Sequence, residues 1–311
     1  MRAAVYRSLG GPDVVEVVEV DKPVPGLSEI RIKVQAAALN PADAAAWGGG
    51  YFPAPPEGVA YGLGWDVAGV VDAVGPGIHW KPGQPVIAFS HVLPLGLNRG
   101  QAEYIVVPSQ AIAAAPSGVD PVHAATIPLN GLTAAQSVEL LGIQAGQTVL
   151  ITGAEGAVGG YAVQLAKRRG AVVIATDLSP EGKFATEVAG ADVYVPASQT
   201  PAEAVRKVRP EGVDAVLDTA RLGQAVIGAV ADGGRFVTTR LDALPQAERG
   251  IRVLLTQVGP DAAMLTTLSD LAAAGDLALR VAETYPLGEA ARAYARMTRG
   301  GLQGRVVLTM E

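Results

Sequence analysis

The fold is determined by one stretch of the sequence, Val149-Leu150-Ile151-Thr152-Gly153-Ala154-Glu155-Gly156-Ala157-Val158-Gly159-Gly160. Its apolar start predicts a buried strand, its glycines predict a tight turn, and residues 161–169 predict a helix. Small residues in such a turn let the backbone approach a phosphate and let the helix pack flush on its strand. The amides of the helix N-terminus then face the anion. We therefore predict a dinucleotide site whose turn residues are Gly153, Ala154, Glu155, Gly156, Ala157, Val158 and Gly159.

The sequence after the turn supports this prediction. A second predicted strand, residues 171–176, ends at Asp177, where a dinucleotide fold places an acid on a ribose hydroxyl. A glycine-rich turn without a ligand is the alternative. The order strand, turn, helix, strand and acid favours the nucleotide site.

The rest of the chain predicts two kinds of domain. From Gln147 to Thr239, predicted strands and helices alternate, which is typical of a parallel sheet flanked by helices. Within this alternation, residues 181–188 predict a helix. Residues 252–255 predict a sixth strand, and residues 261–274 a helix. The N-terminal third instead has short strands separated by Gly and Pro, as in a β-barrel-like domain. We predict an α/β fold: a doubly wound Rossmann domain over 121–276, and a second domain formed by 1–120 with 277–311.

Composition narrows the classes of function. The chain has 311 residues, 49% of them hydrophobic, and no apolar run that approaches the roughly 18 residues of a membrane span. Its first residues lead into strand-like sequence without a signal-peptide pattern, so we expect a cytoplasmic protein. The net charge of −6, without a Lys/Arg cluster, argues against nucleic acid and favours a small-molecule partner.

The sequence also argues against a metal site. The chain has no cysteine, which removes disulfides and thiolate ligands. His79, His91 and His123 lack the short spacing of metal ligands. We predict no metal site.

Motifs spread over nearly the whole length carry a family resemblance. The chain resembles the zinc-independent quinone oxidoreductase branch of the medium-chain dehydrogenase/reductase superfamily. The motifs are Arg2-Ala3-Ala4-Val5-Tyr6, Gly11-Pro12, Leu39-Asn40-Pro41-Ala42-Asp43, Gly64-Trp65-Asp66-Val67-Ala68-Gly69, Ala102-Glu103-Tyr104, Pro128-Leu129-Asn130-Gly131-Leu132-Thr133-Ala134, the glycine turn, Gly233-Gly234-Arg235 and Gly304-Arg305-Val306-Val307-Leu308. The resemblance implies a GroES-like substrate domain, a nicotinamide cofactor, and a homodimer joined through residues 252–256.

The same resemblance implies which chemistry the chain performs. Where zinc-dependent relatives carry a catalytic Cys and a Gly-His-Glu motif, this chain has Leu39-Asn40-Pro41 and Gly64-Trp65-Asp66. A Lewis acid stabilises charge on one carbonyl oxygen, whereas a quinone or an enone spreads that charge over a conjugated system. Hydrogen-bond donors alone can then support the reduction. We predict an NAD(P)H-dependent reductase of a small hydrophobic quinone or α,β-unsaturated carbonyl.

Two other functions remain open at this point. One is an enoyl reductase that acts on a polyketide-like or acyl substrate. The other is a cofactor-binding structural or regulatory protein without catalysis.

Individual residues are assigned by position in the family pattern. Tyr51 and Asn40 are the predicted catalytic residues; Tyr51 holds the substrate carbonyl and supplies a proton, and Asn40 donates from its amide. A loop tyrosine packed on prolines and a turn-forming Asn are the alternatives. The remaining predicted site residues are Trp47 and Phe89 for the substrate, and Thr133 and Arg305 for the cofactor. The loops 47–61 and 90–101 are predicted to form the pocket wall, and the first of them has few polar groups.

Cofactor choice depends on the residues after the second strand of the nucleotide domain. NADPH-using relatives surround the ribose phosphate with small or hydroxyl residues, a Lys and a Tyr, and the matching positions here are Asp177, Gly182 and Ala197. An ionised Asp177 repels a 2′-phosphate and accepts from a free 2′-hydroxyl, which favours NADH. Lys183 lies one position from the family's Lys and could still reach a phosphate, so NADPH stays open.

Overall fold

The computed structural model describes residues 1–50, 52–90 and 95–310. The chain forms two compact units: unit 1 is Met1–Leu129 with Gly259–Glu311, and unit 2 is Asn130–Val258. None of the helices within the described ranges has the length and hydropathy of a membrane-spanning segment.

The strands follow the chain as β1 Arg2–Tyr6, β2 Val15–Glu19, β3 Glu29–Ala38, β4 Tyr61–Gly62, β5 Asp66–Val74, β6 Pro85–Phe89, β7 Tyr104–Pro108, β8 Ile112–Ala114, β9 Thr148–Thr152, β10 Val172–Thr176, β11 Val193–Tyr194, β12 Val213–Asp218, β13 Val230–Thr238, β14 Arg252–Leu255, β15 Val281–Pro286 and β16 Arg305–Thr309. The helices are α1 Pro41–Trp47, α2 Pro121–Ala124, α3 Pro128–Leu141, α4 Ala157–Arg168, α5 Pro201–Val208, α6 Gln224–Ile227, α7 Ala262–Ala273 and α8 Ala290–Thr298.

Unit 1 is built mainly from antiparallel strands. Its larger sheet has the order β15-β16-β3-β5-β6-β8, with β7 also paired to β3, and a smaller sheet has the order β2-β1-β4. On β3, Ile30, Ile32 and Val34 are buried while Lys33 is exposed, which is the two-residue alternation of a strand with one face on a core. These features confirm the predicted GroES-like domain.

Unit 2 is a doubly wound α/β sheet. Its strand order is β11-β10-β9-β12-β13-β14, and every pair in it is parallel. The central strand β9 is buried at every residue, as expected for a strand covered on both faces. The Rossmann fold and its sixth strand, β14, are confirmed. The homodimer through β14 stays a prediction.

The structure corrects three details of the predicted layout. Residues 121–129 and 259–276 belong to unit 1, because α2 lies on β3 and β5, and Ser269 Oγ of α7 donates to the Ala114 carbonyl at 2.7 Å. Helix α4 begins at Ala157 instead of Tyr161. The helix predicted over 181–188 is only a π-helical segment, Phe184–Val188, which follows Gly182 at φ +58°.

Candidate active site

The glycine turn of unit 2 has the backbone geometry that its sequence predicts. Gly153 has φ +65°, a conformation that favours glycine. A Cβ on Gly159 would lie 2.1 Å from the Gly153 carbonyl oxygen, so the first turn of α4 lies directly on the loop. This close approach fits a turn that seats a pyrophosphate at a helix N-terminus.

Asp177 connects the end of β10 to the glycine turn. Its Oδ2 accepts from the Glu155 amide at 2.8 Å, and its Oδ1 accepts from the Leu178 amide at 2.6 Å. Glu155 in turn accepts at Oε1 from the Ala185 amide at 2.8 Å. Since an ionised carboxylate has about four acceptor sites, Asp177 keeps the capacity to bind a ribose hydroxyl.

Tyr194 covers the position at which the relatives' Lys is expected. Its hydroxyl donates to the carbonyls of Asp177, at 3.1 Å, and Ser179. A Cβ on Gly182 would lie 2.3 Å from its ring. Burial raises the pKa of Tyr194, and the negative charges of Asp177 and Glu155 raise it further. The end of β10 therefore carries an acidic environment.

The other predicted cofactor residues of unit 2 have different surroundings. Lys183 is exposed and its ammonium contacts the Glu181 carboxylate at 2.7 Å. Thr133 is buried in α3, and its carbonyl accepts from the Ser137 hydroxyl at 2.6 Å. Their roles toward a cofactor stay predictions.

A buried polar cluster in unit 1 joins Asn40, Asp66 and Arg305. The Asn40 amide nitrogen donates to Asp66 Oδ2 at 2.8 Å. One guanidinium nitrogen of Arg305 donates to the Leu39 carbonyl at 2.5 Å, to Asn40 Oδ1 at 2.8 Å and to Asp66 Oδ2 at 3.3 Å. Asp66 Oδ1 also accepts from the Leu129 amide at 2.6 Å.

The predicted cofactor residue Arg305 is part of this buried cluster. Its side chain is only 8% exposed and pairs with the fully buried Asp66. Burial raises the pKa of Asp66, while the charge of Arg305 and the Asn40 hydrogen bond lower it. Arg305 therefore places a guanidinium beside this buried carboxyl in unit 1, and its role toward a cofactor stays a prediction.

Asp43 is a second buried carboxyl of unit 1. Its carboxyl oxygens accept from the backbone amide of Asn40 at 2.9 Å and from the backbone amide of Gly64 at 3.0 Å. Gln101 contacts it at 3.4 Å and accepts from the Tyr294 hydroxyl at 2.8 Å. Burial raises the pKa of Asp43 to about 7, and the charge of Asp66 also raises it, against the lowering effect of the backbone hydrogen bonds and Arg305.

Because the pKa of Asp43 is raised, we expect the free energy of unfolding to depend on pH, and we expect Asp43→Asn to remove this contribution. Between the ordinary pKa of 3.8 and about 7, folded Asp43 holds a proton that the unfolded chain has released. The free energy of unfolding therefore falls as pH rises, by at most about 1.4 kcal/mol per pH unit from this group. Urea unfolding between about pH 5 and 8, followed by tryptophan fluorescence, should show a shallower fall in Asp43→Asn. Glu57→Gln, an exposed control, should keep the wild-type slope; equal slopes in all three proteins would contradict the prediction.

A small cavity of unit 1 lies beside this cluster. It is lined by Tyr6, Asp43, Ala46, Phe52, Tyr61, Gly62, Leu63, Gly64, Trp65, Leu95, Gly96 and Arg99. Both loops predicted to form the pocket wall, 47–61 and 90–101, contribute to it. Trp65 and Asp43 were missed as lining residues, because separate parts of the chain bring them together and no local motif marks them.

The two predicted substrate residues are core residues. Trp47 is 5% exposed and packs edge-on against Tyr294, with ring centroids 5.9 Å apart. Phe89 is fully buried and stacks on Trp65 at 6.1 Å. Trp65, on which Phe89 stacks, lines the cavity, and the roles of Trp47 and Phe89 toward a substrate stay predictions. Tyr51 lies outside the described residues.

The described ranges contain no group of three His, Cys, Asp or Glu side chains arranged to hold a metal ion. At the two positions where zinc-dependent relatives have ligands, Asn40 belongs to the cluster with Asp66 and Arg305, and Trp65 stacks on Phe89.

Two family models match this chain. The family model described as alcohol dehydrogenase GroES-like domain matches residues 26–117, and the one described as zinc-binding dehydrogenase matches residues 189–308. A chloroplast envelope quinone oxidoreductase homolog of Arabidopsis thaliana is 30% identical, over 99% of this chain and 98% of that protein. An NADPH-dependent alkenal/one oxidoreductase of the same plant is 31% identical, over 83% of this chain and 67% of that protein.

Longer relatives also match. A mycocerosic acid synthase-like polyketide synthase of Mycobacterium tuberculosis is 31% identical over 97% of this chain. The chain spans about 15% of the length of that protein.

Solved structures show the same fold over the whole chain. An NAD-dependent alcohol dehydrogenase superposes with a TM-score of 0.87 and 32% identity, covering 100% of both chains. A mycobacterial quinone oxidoreductase gives 0.82 and 27%, covering 99% of both. A mycobacterial protein in complex with NADPH gives 0.84 and 27%, covering 99% of this chain and all of the other. The chain therefore belongs to the quinone oxidoreductase branch of the medium-chain dehydrogenase/reductase superfamily.

Proposed function

We propose that this chain is a reductase that uses NAD(P)H to reduce a small quinone or α,β-unsaturated carbonyl, without zinc. The family fold binds NAD(P)H, and two of its relatives carry the names quinone oxidoreductase and alkenal/one oxidoreductase. A bound nicotinamide would supply the hydride. The residues of this chain would hold the nucleotide, orient the acceptor and deliver a proton.

The observation that carries the proposal is the arrangement of Asn40, Asp66 and Arg305. A positively charged guanidinium nitrogen lies 2.8 Å from Asn40 Oδ1 and 3.3 Å from Asp66, so these oxygens already bind a cation of the protein. With no cysteine in the chain, the side chains at the former ligand positions suit hydrogen bonding rather than zinc. Such a site suits acceptors that spread negative charge by conjugation.

In unit 2, the turn Gly153–Gly159 would hold the pyrophosphate, and Asp177 would accept from the ribose. We propose NADH as the preferred cofactor, although relatives use or bind NADPH. Support comes from Asp177 and Glu155 beside the Tyr194 hydroxyl and from Lys183 in contact with Glu181. A 2′-phosphate would meet acidic side chains there.

Tyr51 is the proposed proton donor. Tyr51→Phe should lower turnover of naphthoquinone and pentenone by about 100-fold or more, the usual range for loss of a general acid, without loss of cofactor binding. The fall in absorbance on NAD(P)H oxidation measures turnover, and nucleotide fluorescence titration measures binding. Tyr104→Phe, on β7, is the control and should keep wild-type turnover. Wild-type turnover by Tyr51→Phe would remove this role.

A second candidate function is enoyl reduction of an acyl thioester. The similarity of 97% of this chain to a part of a polyketide synthase supports it. The reaction is the same hydride addition to a conjugated acceptor, so the substrates decide. A kcat/KM for a trans-2-enoyl thioester well above that for quinones and enones would favour this function. If fluorescence titration shows that NAD(P)H binds but none of the acceptors oxidises it, a non-catalytic cofactor-binding protein would be favoured.

A further inference from the structure

The cavity of unit 1 is more polar than its loop sequences predict. Phe52, Leu63 and Trp65 supply apolar surface, but Arg99, Tyr6, Tyr61 and Asp43 also line it. Arg99 is only 5% exposed. Its stem packs over Gly62, where a Cβ would lie 2.8 Å from the Arg99 Cγ. The fold therefore holds a buried cation at the wall of this cavity.

Arg99 interacts electrostatically with two other polar residues of the lining, Asp43 and Tyr6. Burial lowers the pKa of Arg99 to about 10, while Asp43 and Tyr6 raise it, so the side chain stays protonated at neutral pH. Burial and the neighbouring Tyr61 raise the pKa of Tyr6, and Arg99 lowers it. Tyr6 and Tyr61 pack edge-on, with ring centroids 5.9 Å apart. The lining of the cavity therefore combines two tyrosines with a guanidinium.

This donor set matches the two oxygens of a carboxylate. A guanidinium has five N–H donors in a planar fork, so it can keep contacts within the protein and still bind an anion. Arg-carboxylate pairs are commonly bidentate and stronger than neutral hydrogen bonds.

We propose that Arg99 is a specificity residue that binds a carboxylate carried by the acceptor. The preferred acceptors of this chain are then conjugated carbonyl compounds with an acidic group, and not only flat hydrophobic ones. This inference rests on the proposed function for the reduction step, whereas the anion site itself depends only on unit 1.

The kinetic test uses a matched pair of acceptors, 6-oxohept-4-enoate and its methyl ester, which share one enone and differ in the charge of a carboxyl group that two methylenes separate from it. We expect wild-type kcat/KM to favour the carboxylate by about 10-fold or more, the effect of one charge-assisted pair. Arg99→Met should remove this preference by raising KM for the carboxylate alone. Arg99→Lys, which keeps the charge without the fork, should retain part of it. Arg292→Met removes an exposed cation of unit 1 and should leave the preference unchanged.

A binding test separates the anion site from the reaction. The keto acid 4-oxopentanoate has no C=C bond to reduce, and calorimetry should show that wild type and Arg99→Lys bind it while Arg99→Met does not. If neither enone is reduced but this binding pattern holds, the proposed function fails and the anion site stands. Equal kcat/KM for acid and ester in the wild type, retention of the preference in folded Arg99→Met, or absence of 4-oxopentanoate binding would each overturn the proposal. Near-ultraviolet circular dichroism verifies folding of each variant.

Discussion

Arg305→Met is expected to lower the free energy of unfolding of unit 1 by about 3–5 kcal/mol, the usual cost of removing one partner of a buried ion pair. Asp66 would keep its hydrogen bonds from Asn40 and the Leu129 amide but lose the cation that offsets its burial. Urea unfolding measures the loss. Tryptophan fluorescence reports unit 1 selectively, because Trp47, Trp65 and Trp80 all lie in it.

The pH dependence of this loss identifies its cause. Burial already raises the pKa of Asp66, and without Arg305 the carboxyl should protonate more readily. The destabilisation should therefore be smaller near pH 5 than near pH 8. The double variant Asp66→Asn with Arg305→Met should lose less than the sum of the single variants. Additive losses, or a loss independent of pH, would show that Arg305 stabilises unit 1 by packing alone.

Asp177→Asn is expected to shift the ratio of kcat/KM for NADPH over NADH upward by about 10- to 100-fold. The change removes a negative charge that would face the 2′-phosphate, and like charges a few ångströms apart near a protein surface repel by a few kcal/mol. The Asn Oδ1 can still accept from the Glu155 amide, so the turn should keep its shape. Steady-state kinetics with both cofactors measures the ratio.

The control for this cofactor change is Glu203→Gln, which removes an exposed charge from α5 of unit 2 and should leave the ratio unchanged. A wild-type enzyme that strongly prefers NADPH would contradict the role given to Asp177. An unchanged ratio in Asp177→Asn would contradict it independently.

The sequence predicted the nucleotide fold well because its signals are local. The strand β9, the turn and α4 are consecutive, and each follows from residues a few positions apart. The start of α4 at Ala157 instead of Tyr161 is an error of one turn. Gly159 and Gly160 are weak helix formers, but the close packing on Gly153 requires a glycine at position 159.

The polar contacts inside unit 1 could not be predicted in this way, because the residues that form them are far apart in the sequence. Arg305 meets Asn40 across 265 positions and Asp66 across 239. No local pattern shows that this Arg is buried. Trp47 was assigned to the substrate for the same reason: its sequence position beside a glycine run does not show that its ring packs on Tyr294.

The ring of Tyr194 over Gly182 restricts the order in which an NADPH pocket could be acquired. A Lys introduced at position 182 would place its Cβ 2.3 Å from that ring and would adopt a backbone φ of +58°, so it would be strained in the present background. Replacing Tyr194 with a smaller residue removes the first obstacle and has to come before or together with that Lys. In protein engineering and in evolution of the family, Tyr194 on β11 therefore prevents a single substitution at position 182 from creating an NADPH pocket.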